Sequence, residues 1–352
     1  MENKPLGYYM QKEINEIKDS LIKTITSFTS SSIHTLPQNI HKFKSIYIIA
    51  CGTSYHSGLL GKKIIESTLN IPCETILANE FNLNSKVYNK NTLFIFISQS
   101  GKTTDVLNVL EQIKPLNIQT LAITNTPNSP LHNLCNNAII LSAGEEKAIA
   151  STKAFNCQIL AFHLLCLYYT NSNKSLMKQL NKLTLSINSF DFNKLKPKTL
   201  INLANIIKNQ KLLYCLGHNI DFIFAQECAL KLKETTYIHT IAMPTLEIMH
   251  GTLAAFNAND YVIAIITNNL NIENQTKVLN EIAKTGAKIS IISNINKKVF
   301  KNIYDEFIQL PKLPNELSHL LAIIPCQWLA LATSTNLNQD PDKPRRLVKA
   351  VV

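Results

Sequence analysis

Between Ser98 and Asp105 the chain reads SQSGKTTD, four hydroxyl side chains (Ser98, Ser100, Thr103 and Thr104) with Gln99 among them. The stretch contains the Gly-Lys-Thr of a nucleotide-binding loop. That loop also needs a glycine five residues before its second glycine, so that the backbone can wrap around successive phosphates. Phe96 stands there, which removes the nucleotide reading. One phosphate suits the residues better. Leu93 to Ile97 reads as a buried strand, Gly101 permits a tight turn, and Thr103 to Ile113 reads as a helix with apolar Val106, Leu107, Val109 and Leu110. The hydroxyls then crowd the crossover from strand to helix, where unpaired N–H groups and the helix dipole favour an anion. A plain hydroxyl-capped helix would use the same residues.

Two more stretches end strands and begin helices: CGTS from Cys51 to Ser54, and GEEKAIAST from Gly144 to Thr152. In an open parallel sheet such loops converge on one crevice. Together they offer Ser54, Ser98, Gln99, Ser100, Thr103 and Ser151, a neutral cradle for a phosphate and sugar hydroxyls. Further on, FIFAQECALKLKETTYIH read as a helix places Glu227, Lys231 and Glu234 on one face. A solvent-facing ladder of ion pairs has that spacing, and so does a general base partly buried beside a lysine. His250, in LEIMHG, fits a structural role or acid–base work. The end, DPDKPRRLVKAVV, has a constrained approach and apolar residues around Lys349, as expected of a tail tucked into a cleft and offering an amine.

These residues need elements to hold them. With 352 residues and 45% hydrophobic composition the chain can build two domains. Residues 1–43 read as a helical lead-in, with Ile14, Ile17, Leu21 and Ile22 at helical spacing. Residues 44–170 alternate strands and helices, 171–208 form a polar helical linker, 209–335 repeat the alternation, and 336–352 form the tail. The strands are continuous apolar runs, as parallel sheets covered on both faces require. KLLYCLG echoes SIYIIACG, and YVIAIITNN echoes TLFIFISQS, which points to two tandem copies of one α/β subdomain; ordinary βα units also resemble one another in pattern. Where the first copy has SQSGKTTD the second has TNNLNIEN, so one phosphate site per chain is expected.

Composition excludes several classes. The apolar runs IYIIA and YVIAII are too short to cross a bilayer and the amino terminus is charged where a secretion signal is apolar, so a cytoplasmic protein without a membrane role is expected. Eight cysteines without a CxxC pair read as reduced thiols, and nine dispersed histidines give no metal spacing. The net charge of +11 suits phosphorylated small molecules. No basic stripe with interleaved aromatics supports nucleic-acid binding.

As a set, CGTSYHSG, SQSGKTTD, AIASTKAF, ALKLKETTYIH, the pair His250–Gly251 and DPDKPRRLVKAVV resemble, in order, the isomerase portion of glucosamine-6-phosphate synthases, which are double-SIS (sugar isomerase) proteins. YMQKEI, from Tyr9 to Ile14, resembles the hinge before that portion. The resemblance implies two tandem flavodoxin-like SIS subdomains, each a mostly parallel sheet with helices on both faces, and a homodimer with shared active sites. It implies fructose 6-phosphate and ammonia as substrates, glucosamine 6-phosphate as product, and no cofactor or metal. Carried over, the phosphate falls on Ser98, Gln99, Ser100 and Thr103 with Thr53 and Ser54 nearby, while Ile149 and Ser151 line the sugar. Glu234 matches the proton-shuttling carboxylate and Lys231 its neighbouring lysine. Lys349 matches the terminal lysine that forms a Schiff base, and His250 the ring-opening histidine supplied by the neighbouring subunit.

The chain departs from that pattern at Lys102, where the synthases read SGET, at PTLEIMHGT, where they read AGELKHGP or AGEMKHGP, and at NEIKDSL after the hinge. Glu2 stands where a glutaminase domain would place its nucleophilic cysteine, so ammonia is expected from elsewhere, as free ammonia or from a separate glutaminase. A deaminase running towards fructose 6-phosphate and a non-catalytic sugar-phosphate-binding regulator are the alternatives; the regulator would have no need of Glu234, His250 and Lys349.

Overall fold

The computed structural model describes residues 4–85, 88–301 and 303–349; Glu2 and tail residues 350–352 lie outside them. Two compact units, each discontinuous in sequence, make up the chain. The first comprises residues 15–146, 151–190 and 348–352, and the second residues 1–14, 147–150 and 191–347.

The first unit is organised by a five-stranded sheet of β1 (Ser45–Ala50), β2 (Cys73–Leu77), β3 (Thr92–Ser98), β4 (Gln119–Thr124) and β5 (Asn137–Ile140) in the order β2-β1-β3-β4-β5. Every neighbouring pair is parallel. The central strand β3 is buried along its whole length, which explains why TLFIFIS has no polar alternation. On one face Phe94 and Phe96 pack with Val106, Val109, Leu110 and Ile113 of the helix Thr104–Ile113. Each such side chain contributes about 1.5–3 kcal/mol when fully buried. The helix Gly52–Leu69 packs against the helix Lys153–Thr170, whose buried residues run around most of its circumference. The register aligns Ser98 of β3 with Thr124 of β4, so both strands end at one level and their loops share one edge.

The second unit contains β6 (Leu212–Gly217), β7 (His239–Pro244), β8 (Tyr261–Ile266), β9 (Lys288–Ser293) and β10 (Glu306–Gln309), also parallel throughout. Its order, β10-β9-β8-β6-β7, is that of the first sheet once β6 is matched with β1. Both sheets therefore have the 2-1-3-4-5 order of flavodoxin-like folds, and the chain is two tandem α/β subdomains of that type. The linker region forms the helices Asn173–Ser189 and Lys198–Ile207. In the second unit the helix Ile220–Thr236 lies on β6 and β7 and packs against the helix Ile324–Asn336. No helix among the described residues is long and apolar enough to cross a membrane.

Candidate active site

At the end of β3 the cradle hydroxyls meet one another. Ser98, 3% exposed, has its Oγ 2.8 Å from Thr103 Oγ1 and 3.5 Å from Ser100 Oγ, and it accepts a 3.0 Å bond from Gly101 N. Ser100 Oγ accepts from Lys102 N at 3.2 Å. Thr103 is the N-cap of the helix Thr104–Ile113, yet its side chain makes no capping bond. Its hydroxyl points back to Ser98 instead, which distinguishes this turn from an ordinary hydroxyl cap. Gly101 has φ +63° and lies against Ser129, whose side chain occupies the place a Cβ would need. Lys102, with its altered charge, has an exposed side chain.

Thr53 and Ser54 lie in the first turn of the helix Gly52–Leu69, since only Cys51 of CGTS remains outside it. Gln158 fixes this turn: its Nε2 donates to Ser54 Oγ at 2.9 Å and its Oε1 accepts from Ser57 Oγ at 2.9 Å. An open cleft of about 800 Å³ is lined by Gln99, Asn125, Thr126, Ser142, Gly144 and Glu146, so the SQSG turn and the loop from Gly144 border one space. Asn125 anchors that loop, donating to Gly144 O at 2.8 Å and accepting from Ala143 N at 2.9 Å.

The loop contains a group the sequence reading passed over. The Glu146 side chain is fully buried and meets four donors. Oε1 accepts from Thr152 N at 2.9 Å and Ala154 N at 3.1 Å, and Oε2 accepts from Ser151 Oγ and Lys349 Nζ, both at 3.1 Å. Burial alone would raise its pKa, but the Lys349 ammonium and these N–H donors outweigh it and hold the carboxyl below the usual range. Lys349, 28% exposed, is thus tied to the loop that carries Ser151. Ile149 belongs to the second unit, where its N–H donates to Asp342 O at 3.1 Å.

In the second unit the face of the helix Ile220–Thr236 with Glu227, Lys231 and Glu234 is no solvent ladder. Glu227 and Lys231 side chains are 0% and 1% exposed, and Glu234 is 23% exposed. Lys231 Nζ lies 2.6 Å from Glu234 Oε2 and 3.6 Å from Glu227 Oε1. The outer carboxylate is held in place yet reachable, as a proton-transfer group requires. His250 ends the turn Thr245–Met249 and is exposed, beside Met249 at 48% exposure.

The duplicate has no counterpart of the cradle. Just past β8, Thr267 N (2.8 Å), the Thr267 hydroxyl and Asn268 Nδ2 (3.0 Å) all donate to Asp221, a buried carboxylate at the start of the helix Ile220–Thr236. The donors at this strand end are satisfied internally. Among the described residues no cluster of His, Cys, Asp or Glu suits a metal ion.

Comparison with known proteins gives this geometry its context. The SIS domain family model matches residues 39–168 and 206–334. The glutamine–fructose-6-phosphate aminotransferase (isomerizing) of Clostridium acetobutylicum is 32% identical over 98% of this chain and 59% of its own length. The chain thus spans a little over half of the curated relatives it matches. Among solved structures, the C-terminal domain of glucosamine-fructose-6-phosphate aminotransferase from Francisella tularensis superimposes with a TM-score of 0.84 at 28% identity, covering 95% of this chain and 98% of that one. The glucosamine-6-phosphate deaminase of Thermotoga maritima shares the fold, with a TM-score of 0.72 at 22% identity over 98% and 99% of the two chains.

Proposed function

Because the chain belongs to the SIS-domain family and is closely related to the C-terminal isomerase portion of isomerizing glutamine–fructose-6-phosphate aminotransferases, we propose that it converts fructose 6-phosphate and ammonia to glucosamine 6-phosphate. A separate glutaminase is one candidate source of that ammonia. The observation that carries this reading is Glu234, fixed at 2.6 Å by a buried lysine while remaining 23% exposed. A module that only bound sugar phosphate would have no use for such a group.

In this reading Ser98, Gln99, Ser100 and Thr103 take the phosphate, helped by the amino end of the helix Thr104–Ile113, with Thr53 and Ser54 nearby. Ile149 and Ser151 line the sugar. His250 opens the ring and, being exposed on its own chain, serves a second copy in a homodimer. The Lys349 amine adds to the open-chain carbonyl and water leaves, giving an imine that ammonia displaces at C2. Glu234 then takes the proton from C1 and returns it to C2, one base serving two adjacent carbons on one face. Lys231 holds that base in position.

Incubation of the pure chain with fructose 6-phosphate plus ammonium, and separately with glucosamine 6-phosphate, tests the reading when ammonia and amino sugar are followed together. Synthesis that needs ammonium is expected. Deamination with negligible synthesis would make the chain a deaminase, and sugar-phosphate binding without turnover would make it a regulator.

A further inference from the structure

The chemistry assigned above leaves Glu146 unused, although its two oxygens divide their partners in an informative way. Among the described residues Oε1 takes backbone donors, Thr152 N at 2.9 Å and Ala154 N at 3.1 Å. These belong to the start of the helix Lys153–Thr170, whose N-cap residue Thr152 makes no capping bond of its own. Among them Oε2 takes side chains, Ser151 Oγ and Lys349 Nζ, each at 3.1 Å. One oxygen caps a helix and the other joins two groups with assigned roles.

We propose that Glu146 is a positioning residue for the reaction, setting the sugar-lining hydroxyl and the terminal lysine against each other through a single buried oxygen. This rests on the roles given to Ser151 and Lys349 under the proposed function. Ser151 spends its proton on the carboxylate, so its oxygen is left as an acceptor for a sugar hydroxyl. Lys349 gives up a charge-assisted hydrogen bond when its amine turns to a carbonyl carbon, so Glu146 contributes to where that amine waits. The carboxylate is suited to this because its side chain is 0% exposed and it meets four protein donors.

Glu146→Gln separates the two functions of the carboxylate. The amide oxygen can still accept from Thr152 N and Ala154 N, while the amide NH₂ replaces the acceptor that Ser151 and Lys349 need. Glu146→Ala loses both. The Gln variant should melt within about 2 °C of the parent and the Ala variant several degrees lower. Reductive methylation of the ligand-free chain with formaldehyde and cyanoborohydride, read by peptide mass spectrometry, reports the hold on Lys349 without any catalytic assay. Lys349 should react about fivefold faster or more in Glu146→Gln, with Lys62, which pairs with Glu66 and makes no bond to Glu146, unchanged as the internal control. In the catalytic assay kcat should fall about ten- to a hundredfold while KM for fructose 6-phosphate stays within about threefold, since the cradle is intact. Unchanged Lys349 labelling overturns the proposal, and faster labelling with unchanged kcat overturns the role in the reaction. If the parent chain itself turns over no sugar phosphate, the functional reading has failed, and the labelling ratio alone still decides whether Glu146 holds the tail.

Discussion

Lys231 Nζ is 2.6 Å from Glu234 Oε2 although the lysine side chain is only 1% exposed, so a buried ammonium fixes a carboxylate at the edge of solvent. Glu227, 0% exposed and 3.6 Å away, balances the same charge from the inner side. Removing the lysine breaks its ion pair with a buried carboxylate, a loss typically of about 3–5 kcal/mol. Lys231→Met should therefore lower the denaturation midpoint steeply. Glu234→Gln leaves Lys231 paired with Glu227 and should cost under about 1 kcal/mol, while isomerisation falls by about 10²–10⁴. Urea melts alongside initial rates check both; equal stability losses would show that Glu234 is chiefly a structural partner.

Gly101 holds the cradle turn at φ +63°, against Ser129. Gly101→Ala must displace Ser129 as well as strain the backbone, so sugar-phosphate affinity should drop by tenfold or more. Calorimetric titration with fructose 6-phosphate reads this directly. Affinity within about twofold of the parent would mean that the turn does not bear the phosphate. ATP should give no binding heat in either protein.

Two buried carboxylates give stability opposite dependences on pH. Glu146 is held below its ordinary value of 4.5 in the fold, burial being outweighed by Lys349 and the N–H donors. Its contribution is present above about pH 4.5 and is lost as pH falls through the lowered value. Burial pushes Asp221 the other way, from 3.8 to about 7, against its bonds from Thr267 and Asn268. Its contribution is complete below 3.8 and is lost as pH rises through about 7. Urea melts from pH 4 to 8 should show the stability of the parent relative to Asp221→Asn declining as pH rises. A difference independent of pH would contradict this.

His250 is exposed on its own chain. Mixing inactive Glu234→Gln with inactive His250→Ala chains should restore part of the activity, because a mixed dimer regains one complete set of groups. A fully active monomer in sedimentation would exclude a shared site.

What the sequence disclosed and what it hid follow from the range of the interactions. The strand, glycine turn and helix around SQSGKTTD are local, and their continuous apolar runs announced buried parallel strands, so the hydroxyl-bearing turn at the strand end was legible. The Glu227, Lys231 and Glu234 spacing left burial open. Neighbouring Ile223, Phe224, Cys228 and Leu232, all buried around that helix, were the signal that the Glu227 and Lys231 face packs inside the unit, leaving Gln226, Leu230 and Lys233 on the more open side. Glu146 was hidden because its partner Lys349 is 203 residues away and nothing local distinguishes it from Glu145. Asp221 escaped notice for a related reason, since its donors lie past the next strand but one, at Thr267 and Asn268.

Glu234 is assigned the transfer of a proton between the first two carbons of a sugar phosphate. Fructose 6-phosphate incubated with the chain in D₂O, followed by proton NMR, tests it most directly, because the nitrogen-free isomerisation uses the same base. Slow formation of glucose 6-phosphate is expected, its C2 hydrogen part protium carried over from C1 and part deuterium taken up by the carboxyl from solvent, together with loss of this conversion in Glu234→Gln. Conversion that persists in Glu234→Gln, or its absence in a parent chain that binds the sugar phosphate, would contradict this assignment.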